Sequence, residues 1–339
     1  MTDPLRILFF CGERSRWGRA FLAALLDNPR IRLSAVVLAT DERWAAFRRA
    51  LSGEEPPPLP PMQKAASTLR RTFTRRRQDP AAVDAVLRRR SVPLVRCADA
   101  NSAEALETIG RHEHGVVLAA AYPQIFRQPF LERFGPGAYN AHPSLLPRCR
   151  GAHPVFWAIA SGETRSGGTI HVLTPELDSG DIAAQVPVEI SETTTYDDLY
   201  RRLEGIVPEL LDRFVSFVTD GGTPEPQDPD QATFFRNDRT IHRRVFWSEL
   251  TATEIHRLVR AAHGTAFFMA GGRRIRLLDV APRGENRNMT NGVRVPPGTV
   301  VDLEDGMPVV AAHPGFVVLR IFAAETGRRP SFRIGEVLR

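Results

Sequence analysis

The sequence of 339 residues has only three cysteines, Cys11, Cys97 and Cys149, and none of them belongs to a Cys-x-x-Cys pair. An odd number of widely spaced cysteines argues against both a disulfide framework and a metal site built on thiolates. No run approaches about 18 consecutive apolar residues, so we expect no membrane-spanning helix. The first residues lack the features of a signal peptide, which predicts a cytoplasmic location by default.

Lysine is almost absent: Lys64 is the only one, and arginine supplies the other 44 of the 45 basic residues. With 39 acidic residues, the formal net charge is +6. So exclusive a use of arginine, beside abundant alanine and proline, indicates a compositional bias rather than a nucleic-acid ligand. Arginine clusters at 70–71, 75–77 and 88–90 have the chemistry to contact phosphate groups. A solvated helix face accounts for them more simply.

The N-terminal half alternates short apolar runs with helical segments. Residues 6–12, 32–38 and 115–121 are predicted to be buried strands, and residues 21–26 have helical content. Strands that alternate with helices indicate a parallel sheet covered on both faces. We therefore predict the α/β class, with a Rossmann-like sheet in the first domain.

The C-terminal part reads differently. Apolar residues over 196–218 recur at helical spacing, although Pro208 should kink or divide this helix. A run rich in Gly, Pro and Asp follows, which predicts a linker over 219–232. Beyond it, short apolar segments separated by glycine turns indicate a small β-barrel. The predicted organisation is a first domain over 1–218, with a Pro- and Arg-rich insertion at 53–90, and a β-barrel domain over 233–339.

Polar residues that can take part in catalysis are concentrated between residues 139 and 181. Asn140 and His142 are two residues apart, so an extended segment would turn both to one side. A neutral imidazole can accept a proton, an amide can donate to an oxyanion, and a carboxylate such as that of Asp178 can orient the imidazole. Considered alone, His142 is explained by a hydrogen bond in the protein interior, and Asp178 by a turn before glycine. Together the three residues favour acyl transfer to an amine.

A covalent route has less support from the sequence. Ser144 lacks the Gly-x-Ser-x-Gly turn of a nucleophilic serine. Cys149 lies between two arginines, which could lower the pKa of its thiol, but it has no obvious partner base. We therefore expect direct transfer without an acyl-enzyme.

Four separated motifs make the sequence recognisable: residues 140–147, 150–154, 167–171 and 177–182. In this order and spacing they resemble the family of formyltransferases that depend on 10-formyltetrahydrofolate. That family includes enzymes that formylate methionyl-tRNA, glycinamide ribonucleotide, amino sugars or hydroxyornithine. Residues 247–277 also resemble the small C-terminal domain, an OB-like β-barrel, of the tRNA and sugar enzymes, which makes the glycinamide ribonucleotide enzyme a poorer match.

The resemblance implies a role for each matching residue. Asn140 would stabilise the oxyanion, His142 would handle the proton, and Asp178 would hold His142 and raise its pKa. The co-substrate would be 10-formyltetrahydrofolate, with no metal. The implied folate pocket comprises Tyr122, Gln124, Ile125, Ser144, Leu145, Leu146, Pro147, Thr174 and Leu177.

The acceptor amine is less clearly indicated. The tRNA enzymes carry a basic insertion of Gly-Arg-Gly-x-Lys character, which this chain lacks. The pair Phe156–Trp157 looks more like the enzymes that act on small amines, although inward packing explains it equally well. We therefore predict a small-molecule amine, such as a nucleotide-linked amino sugar or hydroxyornithine, as the partner substrate. Methionyl-tRNA is the alternative, followed by an inactive relative that binds folate or RNA.

Overall fold

The computed structural model describes residues 3–39, 80–236, 243–284, 289–290, 293–324 and 330–338. The predicted insertion at 53–90 therefore lies outside the described residues up to residue 79, as do the arginine clusters at 70–71 and 75–77. The chain forms two compact units. The first comprises residues 1–154, 165–188 and 201–237, and the second comprises residues 155–164, 189–200 and 238–339.

Seven strands form the sheet of the first unit, in the order β3-β2-β1-β4-β5-β7-β8. Their bounds are β1 Leu5–Gly12, β2 Ile31–Ala39, β3 Leu94–Cys97, β4 Val116–Ala120, β5 Ala138–His142, β7 Arg165–Val172 and β8 Ile182–Glu189. Strands β1 to β5 pair in parallel, whereas β7 runs antiparallel to β5. A short ribbon of β6 Arg150–Gly151 and β9 Phe234–Phe235 lies outside this sheet. The predicted Rossmann-like sheet is thus confirmed, as a mixed sheet in which parallel strands predominate.

Helices connect these strands, and the sequence explains where they begin and end. Their bounds are α1 Arg16–Asp27, α2 Pro80–Arg89, α3 Ala103–Gly110, α4 Gln128–Phe134, α5 Pro154–Ala160 and α6 Tyr196–Thr219. Ser15 caps α1, since its side chain accepts a hydrogen bond from the Gly18 N–H. Strand β1 is buried over residues 7–11, as expected for a strand covered on both faces.

Pro208 does not divide the helix that contains it. Residues Tyr196–Thr219 form one helix of 24 residues, with the proline inside it. Leu203, Val207, Leu210 and Phe214 of this helix are fully buried or nearly so. Burial of a continuous apolar face compensates for the hydrogen bond that a proline removes, because packing supplies most of the stability of a protein helix.

The second unit contains helix α7 Ala252–Ala261 and an antiparallel sheet. Thr251 and Glu254 form a capping box at the start of α7. The sheet order is β10-β11-β16-β15-β14, and a further pair joins β12 to β13. The bounds are β10 Phe267–Ala270, β11 Arg273–Arg283, β12 Met289–Thr290, β13 Val293–Arg294, β14 Val300–Glu304, β15 Met307–Ala311 and β16 Phe316–Ala324. The predicted β structure is confirmed, while its closure into a barrel stays a prediction.

Two further observations concern only the residues that the structure describes. None of their helices is long and apolar enough to cross a membrane. No group of three or more His, Cys, Asp or Glu side chains among them is arranged to hold a metal ion.

Candidate active site

The end of β5 carries two of the three predicted catalytic residues. Asn140 pairs with His171 of the antiparallel strand β7, and His142 pairs with Thr169. Asp178 lies in the loop between β7 and β8, and its carboxylate reaches both β5 side chains. Its Oδ1 is 3.4 Å from Asn140 Nδ2, and its Oδ2 is 3.5 Å from His142 Nδ1. The structure therefore brings the three residues together at the carboxyl end of a sheet strand, where open α/β sheets bind ligands.

The imidazole of His142 is buried and held from both sides. Its Nε2 donates to the Cys149 carbonyl oxygen at 2.9 Å. A carbonyl can only accept, so Nε2 carries the proton of the neutral ring and Nδ1 is the basic atom. Because Nδ1 faces Asp178, protonation of the ring would give each N–H group an acceptor. The site is therefore arranged to receive a proton on His142.

Asp178 is buried, and its carboxylate is fixed by a backbone donor. The Gly151 N–H donates to Oδ2 at 2.9 Å, and His171 Nε2 is 3.5 Å from Oδ1. Burial alone would raise the pKa of this carboxyl, but attraction to the imidazolium of His142, when that ring is protonated, and the Gly151 hydrogen bond outweigh it. The pKa of Asp178 is therefore held well below its usual range, and the residue is ionised in the folded protein.

Asp178 raises the pKa of His142, as predicted, but the net pKa of this imidazole is lowered. Burial lowers the pKa of the imidazole below 6.5, because a charged ring is disfavoured away from water. Asp178 does raise it, as expected, and so does the hydrogen bond to Cys149, but burial is the larger effect. His142 is consequently neutral near pH 7, which is the state that a general base requires.

This shift can be measured directly. We expect the Cε1–H resonance of His142, identified by its loss in His142→Asn, to titrate by NMR with a midpoint below 6.5. In Asp178→Asn the midpoint should fall further, because the nearby negative charge that favours the imidazolium is gone. A midpoint above 6.5, or one that Asp178→Asn does not lower, would contradict this account.

His171 is a member of this cluster to which the sequence analysis gave no role. Its Nδ1 donates to the Val172 carbonyl oxygen at 2.9 Å, so the bare Nε2 accepts from Asn140 Nδ2 at 3.2 Å. The available signals were its place at the end of the motif 167–171 and its position in an apolar strand, and the second is also typical of ordinary core histidines. Only the pairing of β7 with β5 reveals that it contacts Asn140.

The residues of the predicted folate pocket have different surroundings. Tyr122 packs into the core against Phe10 and Phe126, and burial raises the pKa of its hydroxyl. Gln124 joins two loops, since its amide donates to the Ala98 carbonyl and accepts from the Ala100 N–H. By contrast, Ile125 leaves 53% of its surface exposed.

The second part of that pocket, residues 144–147, is tightly fixed. Ser144 is buried and donates to the Arg148 carbonyl at 2.8 Å, and the Leu146 N–H donates to Thr169 Oγ1. Leu146 is buried, whereas Leu145 and Pro147 are half-buried.

In the third part, the half-buried Thr174 donates to the Glu176 carbonyl, and the adjacent Leu177 is 46% exposed. Exposed apolar side chains such as those of Ile125 and Leu177 can pack against the faces of a flat ring at its binding site. The folate contacts themselves stay a prediction.

Backbone conformations that side chains disfavour cluster around the site. Ala121, Cys149, His153 and Asp178 all have φ between 48° and 57°. Such left-handed conformations cost free energy and concentrate at active sites, where the surrounding structure enforces them. At Asp178 and Cys149 this backbone presents the carboxylate and the carbonyl oxygen that contact His142.

Gly180 is needed because of a close approach rather than its φ. A Cβ at residue 180 would overlap the Val172 carbonyl oxygen. We expect Gly180→Ala to lower the free energy of unfolding by about 1–3 kcal/mol through overpacking. The matched control is Gly205→Ala on α6, where a Cβ meets nothing within 4 Å. This change should stabilise the protein by about 0.5–1 kcal/mol. Denaturant unfolding measures both, and equal effects of the two changes would contradict the prediction.

Two family models match the chain. "Formyl transferase" matches residues 5–215, and "Formyl transferase, C-terminal domain" matches residues 239–332. The chain belongs to the formyltransferase family. This confirms the predicted resemblance and the predicted enzyme class, an N-formyltransferase. The predicted co-substrate, 10-formyltetrahydrofolate, agrees with this family.

Among curated formyltransferases, the methionyl-tRNA formyltransferase of Thermotoga maritima is 35% identical over 160 residues, which are 47% of this chain and 51% of that protein. The chain thus matches about half the length of this relative. The methionyl-tRNA formyltransferase of Bacillus cytotoxicus is 29% identical over 238 residues, covering 69% of this chain and 74% of the relative.

Among solved formyltransferases, an N-formyltransferase from Helicobacter canadensis, in complex with folinic acid and dTDP-3-aminofucose, has a TM-score of 0.59 at 15% identity. The match covers 94% of this chain and 99% of that one. At this identity the likeness shows the fold.

Proposed function

We propose that this formyltransferase transfers the formyl group of 10-formyltetrahydrofolate to the amine of a small molecule, such as a nucleotide-linked amino sugar or hydroxyornithine. The observation that carries formyl transfer is the contact of Asp178 with both Asn140 and His142. This arrangement provides a proton acceptor, an amide donor and a fixed negative charge within one buried cluster.

In the proposed reaction, the amine nitrogen forms a bond to the formyl carbon, and the bond from that carbon to N10 of the folate breaks. The neutral His142 takes the proton that the amine loses and returns it to N10. Asp178 stabilises the imidazolium, because Oδ2 faces the nitrogen that becomes protonated. Asn140 donates an N–H to the oxyanion that develops on the formyl oxygen.

The preference for a small amine rests on what the chain lacks. A protein that holds the acceptor arm of tRNA needs cations for the phosphates, and the basic Gly-Arg-Gly-x-Lys pattern is absent from the sequence. The pair Phe156–Trp157 adds no weight to this preference. Phe156 is buried and packs edge-on against Trp157 with the ring centroids 5.0 Å apart, as ordinary packing requires.

Methionyl-tRNA formylation is the second candidate, and one observation favours it. Two curated relatives of the chain, from Thermotoga maritima and Bacillus cytotoxicus, are methionyl-tRNA formyltransferases. Binding of tRNA by this protein would weaken steeply as salt is raised, because phosphate contacts release counterions. A small amine, even one linked to a nucleotide, makes far fewer phosphate contacts, so its binding would depend less steeply on salt.

The experiment incubates the protein and 10-formyltetrahydrofolate with nucleotide-linked amino sugars, hydroxyornithine and initiator methionyl-tRNA in separate reactions. Mass spectrometry then detects the gain of one CO. His142→Ala is run beside each reaction. We expect a small amine to gain the formyl group and His142→Ala to lose this activity.

The other outcomes decide between the alternatives. Formylation of tRNA alone would replace the proposed substrate with the second candidate. Binding of the folate without formylation of any acceptor would favour an inactive relative. Formylation that His142→Ala leaves intact would refute the proposed role of His142.

A further inference from the structure

Residues 225–235, which we call the strap, follow the catalytic loops of the first unit. At one end, the backbone of Glu225 pairs with Ile182 just after the Asp178 loop, with N···O distances of 2.7 and 2.9 Å. At the other end, β9 pairs in parallel with β6, and the Cys149 N–H donates to Thr233 Oγ1 at 2.8 Å. The strap thus contacts two segments of the site. One is residues 149–151, next to His142, and the other is the loop that carries Asp178.

Between these ends, one side chain joins the two segments directly. Gln227 Nε2 donates to the carbonyl oxygens of Asp178 at 3.0 Å and Gly180 at 2.7 Å. Gln227 Oε1 accepts from Arg150 Nε at 3.0 Å and Arg150 Nη2 at 2.7 Å. The amide therefore donates two hydrogen bonds to the Asp178 loop and accepts two from the other segment.

The position of the Gln227 amide matters because it joins the loop that carries Asp178 to the segment that hydrogen-bonds to His142. Asp178 sits in a loop with a strained backbone, at φ 54°, and accepts from the Gly151 N–H. His142 donates to the carbonyl of Cys149, the residue before Arg150. Displacing one segment from the other would lengthen the contact of 3.5 Å between Asp178 and His142.

We propose that Gln227 is a positioning residue for formyl transfer: by holding residues 178–180 against Arg150, it sets the distance between Asp178 and His142. The inference rests on the proposed catalytic roles of those two residues. Gln227 itself touches no reacting atom. It acts by keeping the Asp178 carboxylate close to the protonated imidazole of His142.

The test is Gln227→Met, which keeps a side chain of similar length and removes all four hydrogen bonds. We expect kcat to fall about 10- to 100-fold, as for a small displacement of a catalytic group, with the KM values for folate and amine unchanged. The NMR midpoint of His142 should move to lower pH, because a more distant Asp178 favours the imidazolium less. A loss of folded protein alone would move neither the midpoint nor the pH profile of the remaining activity.

Gln227→Glu is the second variant, since it keeps an acceptor for Arg150 but puts an oxygen in place of the N–H donors that the two carbonyls need. We expect at least the same loss of kcat. Gln231→Met is the matched control within the strap, because its amide donates only to Asp228. It should keep the kcat and the His142 midpoint of the unchanged protein.

Either of two results would overturn the proposal. One is an unchanged kcat and an unchanged His142 midpoint in both Gln227 variants. The other is a loss of activity that follows the loss of folded protein while the midpoint stays in place, which would assign Gln227 a purely structural role. Failure of the proposed function is a separate result, since the unchanged protein would then formylate no acceptor while the His142 midpoint still reports the effect of Gln227.

Discussion

His142→Ala is expected to lower kcat/KM for formyl transfer by about 10²–10⁴-fold, the usual contribution of a general base. The change removes the only group that the proposed reaction uses to carry the proton between the amine and N10. It also leaves the Asp178 carboxylate buried without its imidazole partner, so part of the loss reflects a disturbed site. Steady-state kinetics with the amine identified by mass spectrometry measures the effect.

A second histidine provides the control for this change. His112 follows α3, outside the cluster that contains Asp178, and we expect His112→Ala to retain the activity of the unchanged protein. Circular dichroism establishes that both variants are folded. If His142→Ala keeps more than about one tenth of the activity, a proton carrier other than His142 serves the reaction.

Asn140→Ala is expected to lower kcat and kcat/KM together by about 10²–10³-fold, because an oxyanion donor acts only in the transition state. The structure adds a condition to this role. Both N–H groups of the amide have acceptors, His171 Nε2 at 3.2 Å and Asp178 Oδ1 at 3.4 Å. One of these N–H groups must turn from its present acceptor to the substrate for the amide to donate to the oxyanion.

Asn140→Asp distinguishes donation from shape, since a carboxylate has the same outline and no N–H. It should lose as much activity as Asn140→Ala. The control is Asn28→Ala, which removes two exposed hydrogen bonds, one to Asp212 and one from the Arg30 N–H, and none to a site residue. A lower affinity for the amine with unchanged kcat in Asn140→Ala would instead assign this residue to ground-state binding.

The parallel strands could be predicted from the sequence, because strands buried on both faces appear as unbroken apolar runs. The sequence also allowed Asn140, His142 and Asp178 to be proposed as site residues, because their side chains are chemically distinctive and lie in two recognisable motifs. Pro208 was misleading as a possible break in its helix, since local propensity says nothing about the apolar face that packing stabilises.

The contacts that complete the site were beyond the reach of sequence patterns for a physical reason. The register between β5 and β7 places His171 opposite Asn140, and only the paired strands reveal this register. Gln227 lies in a stretch that its composition marks only as a linker. The net fall in the pKa of His142 depends on how deeply the ring is buried, which no spacing of residues reveals.

Two main-chain groups hydrogen-bond to the catalytic side chains: the carbonyl oxygen of residue 149 accepts from His142, and the N–H of residue 151 donates to Asp178. Scanning with any of the common amino acids leaves both atoms in place, apart from proline at 151. At Cys149 such a scan would report only on the thiol and on the tolerance for a left-handed backbone. Amide-to-ester substitution at residue 151 by chemical synthesis or ligation would replace that N–H with an oxygen, and so remove one of the two contacts atom by atom.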